Sequence, residues 1–166
     1  MKTFVRRHGN KSRYLKSLLS HIPSSFGRYV EPFVGSGALF LALQPQRWIL
    51  NDINQDIINI WTCVSSQTSL VMRRIKDFGK GFMHKSKRER TFLCRNLTSQ
   101  LEAMPYTCKR ATTYMLLTYC AYMGSIVNNN KFYFPGLEIN LYDTFPSFLK
   151  ESFFDNLRTV SSFMNS

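Results

Sequence analysis

The spacing of apolar residues along the first part of the chain predicts alternating helices and strands. One helical stripe comprises Tyr14, Leu15, Leu18, Leu19 and Ile22. Residues 28–31 are short, aromatic and β-branched and run into Pro32, which predicts a strand that ends there. Residues 38–43 then predict a short helix, and residues 48–50 a second buried strand.

A further helix is predicted after the second strand. Ile57, Ile60, Trp61 and Val64 have the spacing i, i+3, i+4, i+7, and Asn54 is a suitable capping residue. Strands that alternate with helices indicate a parallel sheet with helices on its faces. The front of the chain is therefore predicted to be an α/β unit.

The middle of the chain has a different pattern. Residues 65–122 are helical in periodicity, with two apolar faces and no obvious strand. The first face comprises Phe92, Leu93, Leu97 and Leu101, and the second comprises Ala111, Tyr114, Met115, Thr118 and Tyr119. Residues 128–130 are a predicted hairpin tip, and residues 148–164 a final amphipathic helix. This pattern predicts a helical lobe inserted into the α/β unit.

Charge adds a candidate partner to this picture. The 166 residues carry 22 Lys and Arg against 10 Asp and Glu, a net charge of +12, which favours a polyanion. Nine basic residues against two acids lie between Arg73 and Arg95. A solvated helix face is the alternative for any one lysine, but the whole cluster favours phosphate binding.

The cysteines and the apolar runs indicate an intracellular protein. Cys63, Cys94, Cys108 and Cys120 form no Cys-x-x-Cys pair and have no histidine at metal spacing, so buried free thiols are expected rather than a zinc site. No run approaches the roughly 18 apolar residues that a membrane helix needs, and no signal peptide is evident.

Three features at the ends of the predicted strands indicate a site for a nucleotide-type ligand. Gly35 and Gly37, at a strand-to-helix junction, allow a sharp turn and close approach of a ligand, although such a pair is often only a tight turn. Asp52 ends the second strand, where a carboxylate accepts from a ribose diol or caps a helix. Lys11 is a candidate partner for a ligand carboxylate, or a solvated lysine.

Together these segments resemble the Dam-type DNA adenine methyltransferases. The resemblance rests on residues 7–11, on residues 29–40 with their Glu-Pro-Phe-Val-Gly-Ser-Gly turn, and on residues 51–60. It implies a Rossmann-like fold that binds S-adenosylmethionine. It also implies that Arg7 and Lys11 contact this cofactor, that Glu31, Phe33, Gly35 and Gly37 form its pocket, and that Asp52 holds its ribose.

The resemblance further implies a DNA-contacting lobe and hairpin. The candidate DNA contacts are Lys85, Lys87, Arg88, Arg90, Asn129 and Lys131. The expected division is a cofactor-binding part at 1–64, a lobe with its hairpin at 65–138, and a return to the α/β part at 139–166. The chain departs from the family at Arg7, where an aromatic residue is usual, and at Val127 or Asn128, where an arginine is usual.

The largest departure concerns catalysis. Family members hold the target amino group with an Asp-Pro-Pro-Tyr motif at the end of a later strand, and this sequence contains no such motif. We therefore expect a fold that is incomplete at its carboxyl end, without catalytic residues or a metal. Three interpretations stay open: part of a split or truncated enzyme, completed by a second polypeptide; a non-catalytic nucleic-acid-binding or structural subunit; and a decayed product without a stable fold.

Overall fold

Short strands and longer helices alternate in the computed structural model, which describes residues 1–7, 9, 11–128, 131–137 and 146–166. The helices are α1 (Leu15–Ser20), α2 (Ala38–Leu43), α3 (Gln55–Ser66), α4 (Thr68–Met83), α5 (Lys87–Gln100), α6 (Cys108–Cys120) and α7 (Glu151–Met164). The strands are β1 (Tyr29–Glu31), β2 (Trp48–Leu50), β3 (Val127–Asn128) and β4 (Lys131–Phe132). The prediction of a mixed α/β protein is confirmed.

A small parallel sheet carries the first part of the fold. β1 and β2 pair in parallel, with Tyr29 opposite Trp48 and Glu31 opposite Leu50. On the packed face, Phe40 of α2 contacts the rings of Tyr29, Trp48 and Trp61. Both predicted strands and the helix that follows each of them are therefore confirmed.

The opposite face of this sheet is open. Val30 and Ile49 lie opposite each other in the pairing and keep 55% and 46% of their surface exposed. Parallel sheets are usually covered on both faces. The apolar stripe predicted on α1 is likewise not buried, because none of the residues of α1 is buried.

Four consecutive helices, α3 to α6, follow the second strand. α6 packs against α3, α4 and α5, and ten of its 13 residues are buried. In α5 the buried residues are Cys94 and Thr98, with Leu101 just beyond the helix. Phe92 does not share this face, because 72% of its surface is exposed, and its grouping with Leu93, Leu97 and Leu101 is wrong.

A buried ion pair joins α3 to α6. Arg110 donates from Nε and Nη2 to the two carboxylate oxygens of Asp56, at 2.5 and 3.0 Å, and both side chains are only 6% exposed. Its Nη1 also donates to the backbone carbonyls of Leu101 and Met104, both at 2.6 Å. The hydrogen bond to Asp56 raises the pKa of Arg110, so this side chain stays charged.

The last helix returns to the first part of the chain. α7 buries Phe154, Leu157 and Val160 and packs against α3 and α4, which confirms the predicted amphipathic helix. Its Phe163 also contacts Phe40 of α2. No helix within the described ranges is long and apolar enough to cross a membrane.

Candidate functional site

The glycine turn between β1 and α2 is shaped by two left-handed residues. Gly35 and Gly37 have φ values of +49° and +66°, a region that residues with a side chain rarely adopt. A Cβ on Gly37 would lie 2.3 Å from the ring of Trp61, so this glycine is required for packing. A Cβ on Gly35 would meet only Asp52 Oδ2, at 4.0 Å, so this glycine borders open space.

Asp52 is buried two residues after the end of β2 and connects the second strand to this turn. Its Oδ2 accepts from the backbone N–H of Gly35 at 2.9 Å, and its Oδ1 accepts from that of Asn54 at 3.0 Å. Arg7 Nη1 also donates to Oδ1, at 3.3 Å. The carboxylate is therefore held in place by three donors before any ligand arrives.

Lys11 occupies the other side of the turn. Its Nζ donates to Glu31 Oε1 at 2.9 Å and to the carbonyl of Phe33 at 2.6 Å. The second oxygen of Glu31 accepts from the hydroxyl of Tyr29 at 2.7 Å. Burial, reinforced by this hydrogen bond, raises the pKa of Tyr29, so its proton stays on the hydroxyl. Lys11 is thus an ion-pair partner of Glu31 rather than a solvated lysine.

These residues surround a cleft of about 260 Å³. It is lined by Arg7, Gly9, Lys11, Phe33, Val34, Gly35, Ser36, Asp52 and Ile53. Its volume is slightly below the range of roughly 300–1,000 Å³ that is usual for small-molecule sites. Five of the seven predicted cofactor residues line the cleft, while Glu31 lies behind Lys11 and Gly37 packs against Trp61.

The predicted DNA contacts of the lobe fall into two groups. Lys87 and Arg88 are exposed at the start of α5, and Lys85 is half-buried just before it. Arg90 instead donates to the carbonyls of Phe82 and Met83 at 3.1 and 2.9 Å, where α4 ends. Its guanidinium also lies 5.0 Å from the ring of Phe82, so this residue serves the fold.

The hairpin predicted near residues 128–130 is present as β3 and β4. Asn128 pairs with Lys131 and Val127 with Phe132 in antiparallel register. Lys131 is exposed, as a DNA contact requires. The remaining candidate, Asn129, lies outside the described residues.

Sequence reasoning included Arg88 and Arg95 in the basic cluster but missed the exposed ring of Phe92 beside them on α5, which completes a surface with the composition of a nucleic-acid contact. Arg88, Phe92 and Arg95 follow the spacing i, i+4, i+7 and are all exposed. Neither arginine forms an ion pair with a described residue. Glu89, the one acid of α5, accepts instead from the backbone N–H and hydroxyl of Ser86, in a capping box. The spacing i, i+4, i+7 places these three residues on one face of a helix, and this pattern could have indicated the surface from the sequence.

The thiols are confirmed as free and buried. Cys63, Cys94, Cys108 and Cys120 are all buried and form no disulfide. Burial raises the pKa of Cys63 to about 11, so this thiol stays protonated at neutral pH. Among the described residues there is no group of three or more His, Cys, Asp or Glu side chains that could hold a metal ion.

A glycine turn after one parallel strand and a buried carboxylate after the next are typical of α/β domains that bind nucleotide-type ligands. Residues 8–141 match the family described as D12 class N6 adenine-specific DNA methyltransferase. Because this match covers well over half of the chain, the protein belongs to that family. Enzymes of this class generally depend on S-adenosylmethionine.

Curated relatives agree with this assignment. The Type II methyltransferase M1.LlaDCHI of Lactococcus lactis subsp. cremoris is 34% identical over 61 residues, 37% of this chain and 22% of the relative. A DNA adenine methylase of Vibrio cholerae serotype O1 is 28% identical over 92 residues, 55% and 32% of the two chains. That of Salmonella typhi is 27% identical over 123 residues, 74% and 42% of the two chains. The matches therefore span less than half of each relative.

Proposed function

We propose that this chain is the cofactor-binding and DNA-facing part of a DNA adenine methyltransferase, inactive alone and completed by further polypeptide. The observation that carries the proposal is the Asp52 carboxylate, buried and fixed beside the glycine turn at the edge of a suitable cleft. Residues 1–64 are the cofactor-binding part, residues 65–138 the lobe and hairpin, and residues 139–166 the return to the α/β part.

The residues present suit S-adenosylmethionine. A carboxylate that already accepts from backbone N–H groups keeps free lone pairs for a ribose diol, which is the role proposed for Asp52. Gly35 leaves room for the ligand, and Phe33, exposed at the rim, offers a ring for stacking. Lys11 neutralises Glu31, and its third N–H would be available to the carboxylate of the cofactor.

Arg7 replaces the aromatic residue that is usual in the family, and its ion pair engages Asp52, the carboxylate that would hold the ribose. Its side chain is 39% exposed, so the guanidinium can turn out of the cleft when a ligand enters. A guanidinium also stacks on flat rings, which preserves a contact with adenine. Because the cofactor would have to replace the ion pair between Arg7 and Asp52, its net free energy of binding would be less favourable.

The cofactor supplies an activated methyl group, and the protein contributes position and orientation. In this chain Asp52, held by the backbone N–H of Gly35, would hold the ribose, and Lys11 with Glu31 would hold the other end of the cofactor. No residue of this sequence forms the Asp-Pro-Pro-Tyr motif that would orient the target amino group. We therefore propose that further polypeptide contributes this group to methyl transfer.

The free edge of β1 suggests where that contributor binds. Among the described residues β1 pairs only with β2, and alternation along a parallel strand directs the N–H and C=O of Val30 away from β2. A cleft of about 480 Å³ borders this edge, lined partly by Ile22, Phe26 and Val30. A strand added there would pair with the backbone of Val30 and extend the sheet toward a Rossmann-like one.

The first experiment is calorimetric titration of the purified chain with S-adenosylmethionine. Wild type is expected to bind, and Asp52→Asn to bind on the order of 10- to 100-fold more weakly, because charge-assisted hydrogen bonds of about 1.5–3 kcal/mol are lost. Thermal unfolding of both proteins serves as the control for folding. Absence of heat with folded wild type would contradict the cofactor assignment.

The second experiment tests completion. Labelled methyl transfer to duplex DNA is measured with the chain alone, and with an added fragment of the Salmonella typhi methylase that carries the remainder of that enzyme. Activity is expected only in the mixture. Asp52→Asn in the mixture should lose it, and Asp77→Asn, on the exposed face of α4, should retain it.

A second candidate function is nucleic-acid binding without chemistry. The α5 surface of Arg88, Phe92 and Arg95 favours it, because unpaired arginines contact phosphates and an exposed ring stacks on a base. DNA binding is measured over a salt series with and without S-adenosylmethionine. A steep salt dependence that the cofactor does not change favours this candidate over the first.

A further inference from the structure

Asn54 has two roles beside the candidate cofactor cleft. Its Oδ1 accepts from the backbone N–H groups of Asp56 and Ile57, at 2.9 and 3.4 Å, and so caps α3. Its Nδ2 donates to the hydroxyl of Tyr114 at 3.1 Å. Because the backbone N–H of Asn54 also donates to Asp52, any displacement of Asn54 moves a donor of the ribose-binding carboxylate.

Tyr114 connects Asn54 to the hairpin. It lies in α6 with 6% of its surface exposed, and its ring meets that of Phe132 edge to face, with centroids 6.3 Å apart. Phe132 follows Lys131 in β4, the strand that carries the candidate DNA contact of the hairpin. One side chain therefore contacts both the loop that holds Asp52 and the strand that holds Lys131.

A second connection runs beside the first. Arg110 lies one turn before Tyr114 on the same face of α6 and holds Asp56, the first capped residue of α3. Its guanidinium lies 5.7 Å from the ring of Phe132. This ion pair is buried and fixes the distance between α3 and α6, so the hydroxyl of Tyr114 has a defined partner.

We propose that Tyr114 is a positioning residue that couples the cofactor cleft to the nucleic-acid-binding hairpin. This inference rests on the proposed function and adds that the two ligands bind with positive cooperativity. DNA bound at Lys131 restrains β4 and with it Phe132, Tyr114 and Asn54, and so restrains the donor to Asp52. By linkage, DNA and cofactor raise each other's affinity by the same factor, for which 5- to 150-fold is typical.

The test is a thermodynamic square. Affinity for S-adenosylmethionine is measured by calorimetry with and without a short mixed-sequence duplex, at one salt concentration, for wild type and Tyr114→Phe. This substitution removes the hydroxyl that Asn54 contacts and keeps the ring. DNA is expected to tighten cofactor binding to wild type at least fivefold, and the factor should approach one in Tyr114→Phe.

Tyr119→Phe is the matched control. Tyr119 also lies in α6, and its hydroxyl donates to the carbonyl of Phe4 at 3.1 Å, away from the hairpin. Its coupling factor should equal that of wild type. The inference is overturned if the coupling factor is equal in wild type and Tyr114→Phe, or if it is one in wild type. Either result leaves the binding of cofactor and DNA, and so the proposed function, intact.

If wild type binds only one ligand or neither, the proposed function fails and the connection is tested without ligands. Backbone amide chemical shifts are then compared for wild type, Tyr114→Phe and Tyr119→Phe. Tyr114→Phe alone should shift the amides of both Asn54 and Phe132. A shift confined to α6 overturns the inference.

Discussion

Substitution of the two glycines of the turn separates a packing role from a ligand-binding role. Gly37→Ala places a Cβ 2.3 and 2.5 Å from two ring carbons of Trp61, at a φ of +66°. Left-handed backbone costs a residue with a side chain about 1–2 kcal/mol, and overpacking about 1–3 kcal/mol more. We therefore expect the free energy of unfolding to fall by about 2–5 kcal/mol.

Gly35→Ala should be milder for the fold. The added Cβ meets only Asp52 Oδ2, at 4.0 Å, so only the backbone cost of about 1–2 kcal/mol applies. The methyl group would instead border the cleft, and we expect it to weaken the proposed binding of S-adenosylmethionine. Urea unfolding followed by circular dichroism gives the stability of both variants, and calorimetry gives the affinity of Gly35→Ala.

A double-mutant cycle tests the stated cause. Trp61→Phe removes the ring carbons that the Cβ of Gly37→Ala would approach, so the cost of Gly37→Ala should fall toward that of Gly35→Ala in this background. Trp61→Phe alone also loses the hydrogen bond from Nε1 to the carbonyl of Gly35, 3.1 Å long, and serves as the reference. If Gly37→Ala proved no less stable than Gly35→Ala, the close contact with Trp61 would not be the cause of the predicted loss.

The remaining predictions concern buried charge, helix capping and alkaline pH. Arg110→Ala should lower the free energy of unfolding by about 3–5 kcal/mol, because it leaves the carboxylate of Asp56 buried without its partner; in the Asp56→Asn background the loss should be smaller. Ser86→Ala should cost about 1 kcal/mol by loss of the cap of α5, measured by urea unfolding with the exposed Ser99→Ala as control. The pKa of Cys63 is raised from 9.0 to about 11, so the folded state holds its proton more tightly than the unfolded state does. Its contribution to stability is full below pH 9 and is lost as the pH rises toward 11, and the melting temperature of Cys63→Ala should fall less over that interval than that of wild type.

Local signals account for the parts of the fold that the sequence predicted well. Pro32 ends β1, Gly35 and Gly37 form the turn, and Asn54 caps α3, so each boundary lies within the segment that defines it. The ribose-binding candidate Asp52 belongs to the same local pattern. Its position at the rim of the cleft follows from parallel pairing of two neighbouring strands.

Contacts between distant segments were not predictable in this way. Asp56 and Arg110 are 54 residues apart, and nothing in the sequence around either residue specifies the other. Arg90 resembles its basic neighbours in sequence, yet it binds the carbonyls that end α4. Phe92 follows the apolar pattern of α5 but faces solvent, because the packing of α5 on α6, not local periodicity, determines which residues are covered.

The burial of α6 on nearly all sides has a consequence for the kinetics of local opening. A helix enclosed by three others exposes its backbone only when the whole assembly separates, so its amide protons should exchange with deuterium at the rate set by global unfolding. The amides of α1, none of whose side chains is buried, should exchange by fraying at far lower cost. The free energy of opening derived from exchange in α6 would thus equal the free energy of unfolding of the whole domain. Deuterium uptake by a peptide from α6 would therefore measure how often the domain unfolds completely.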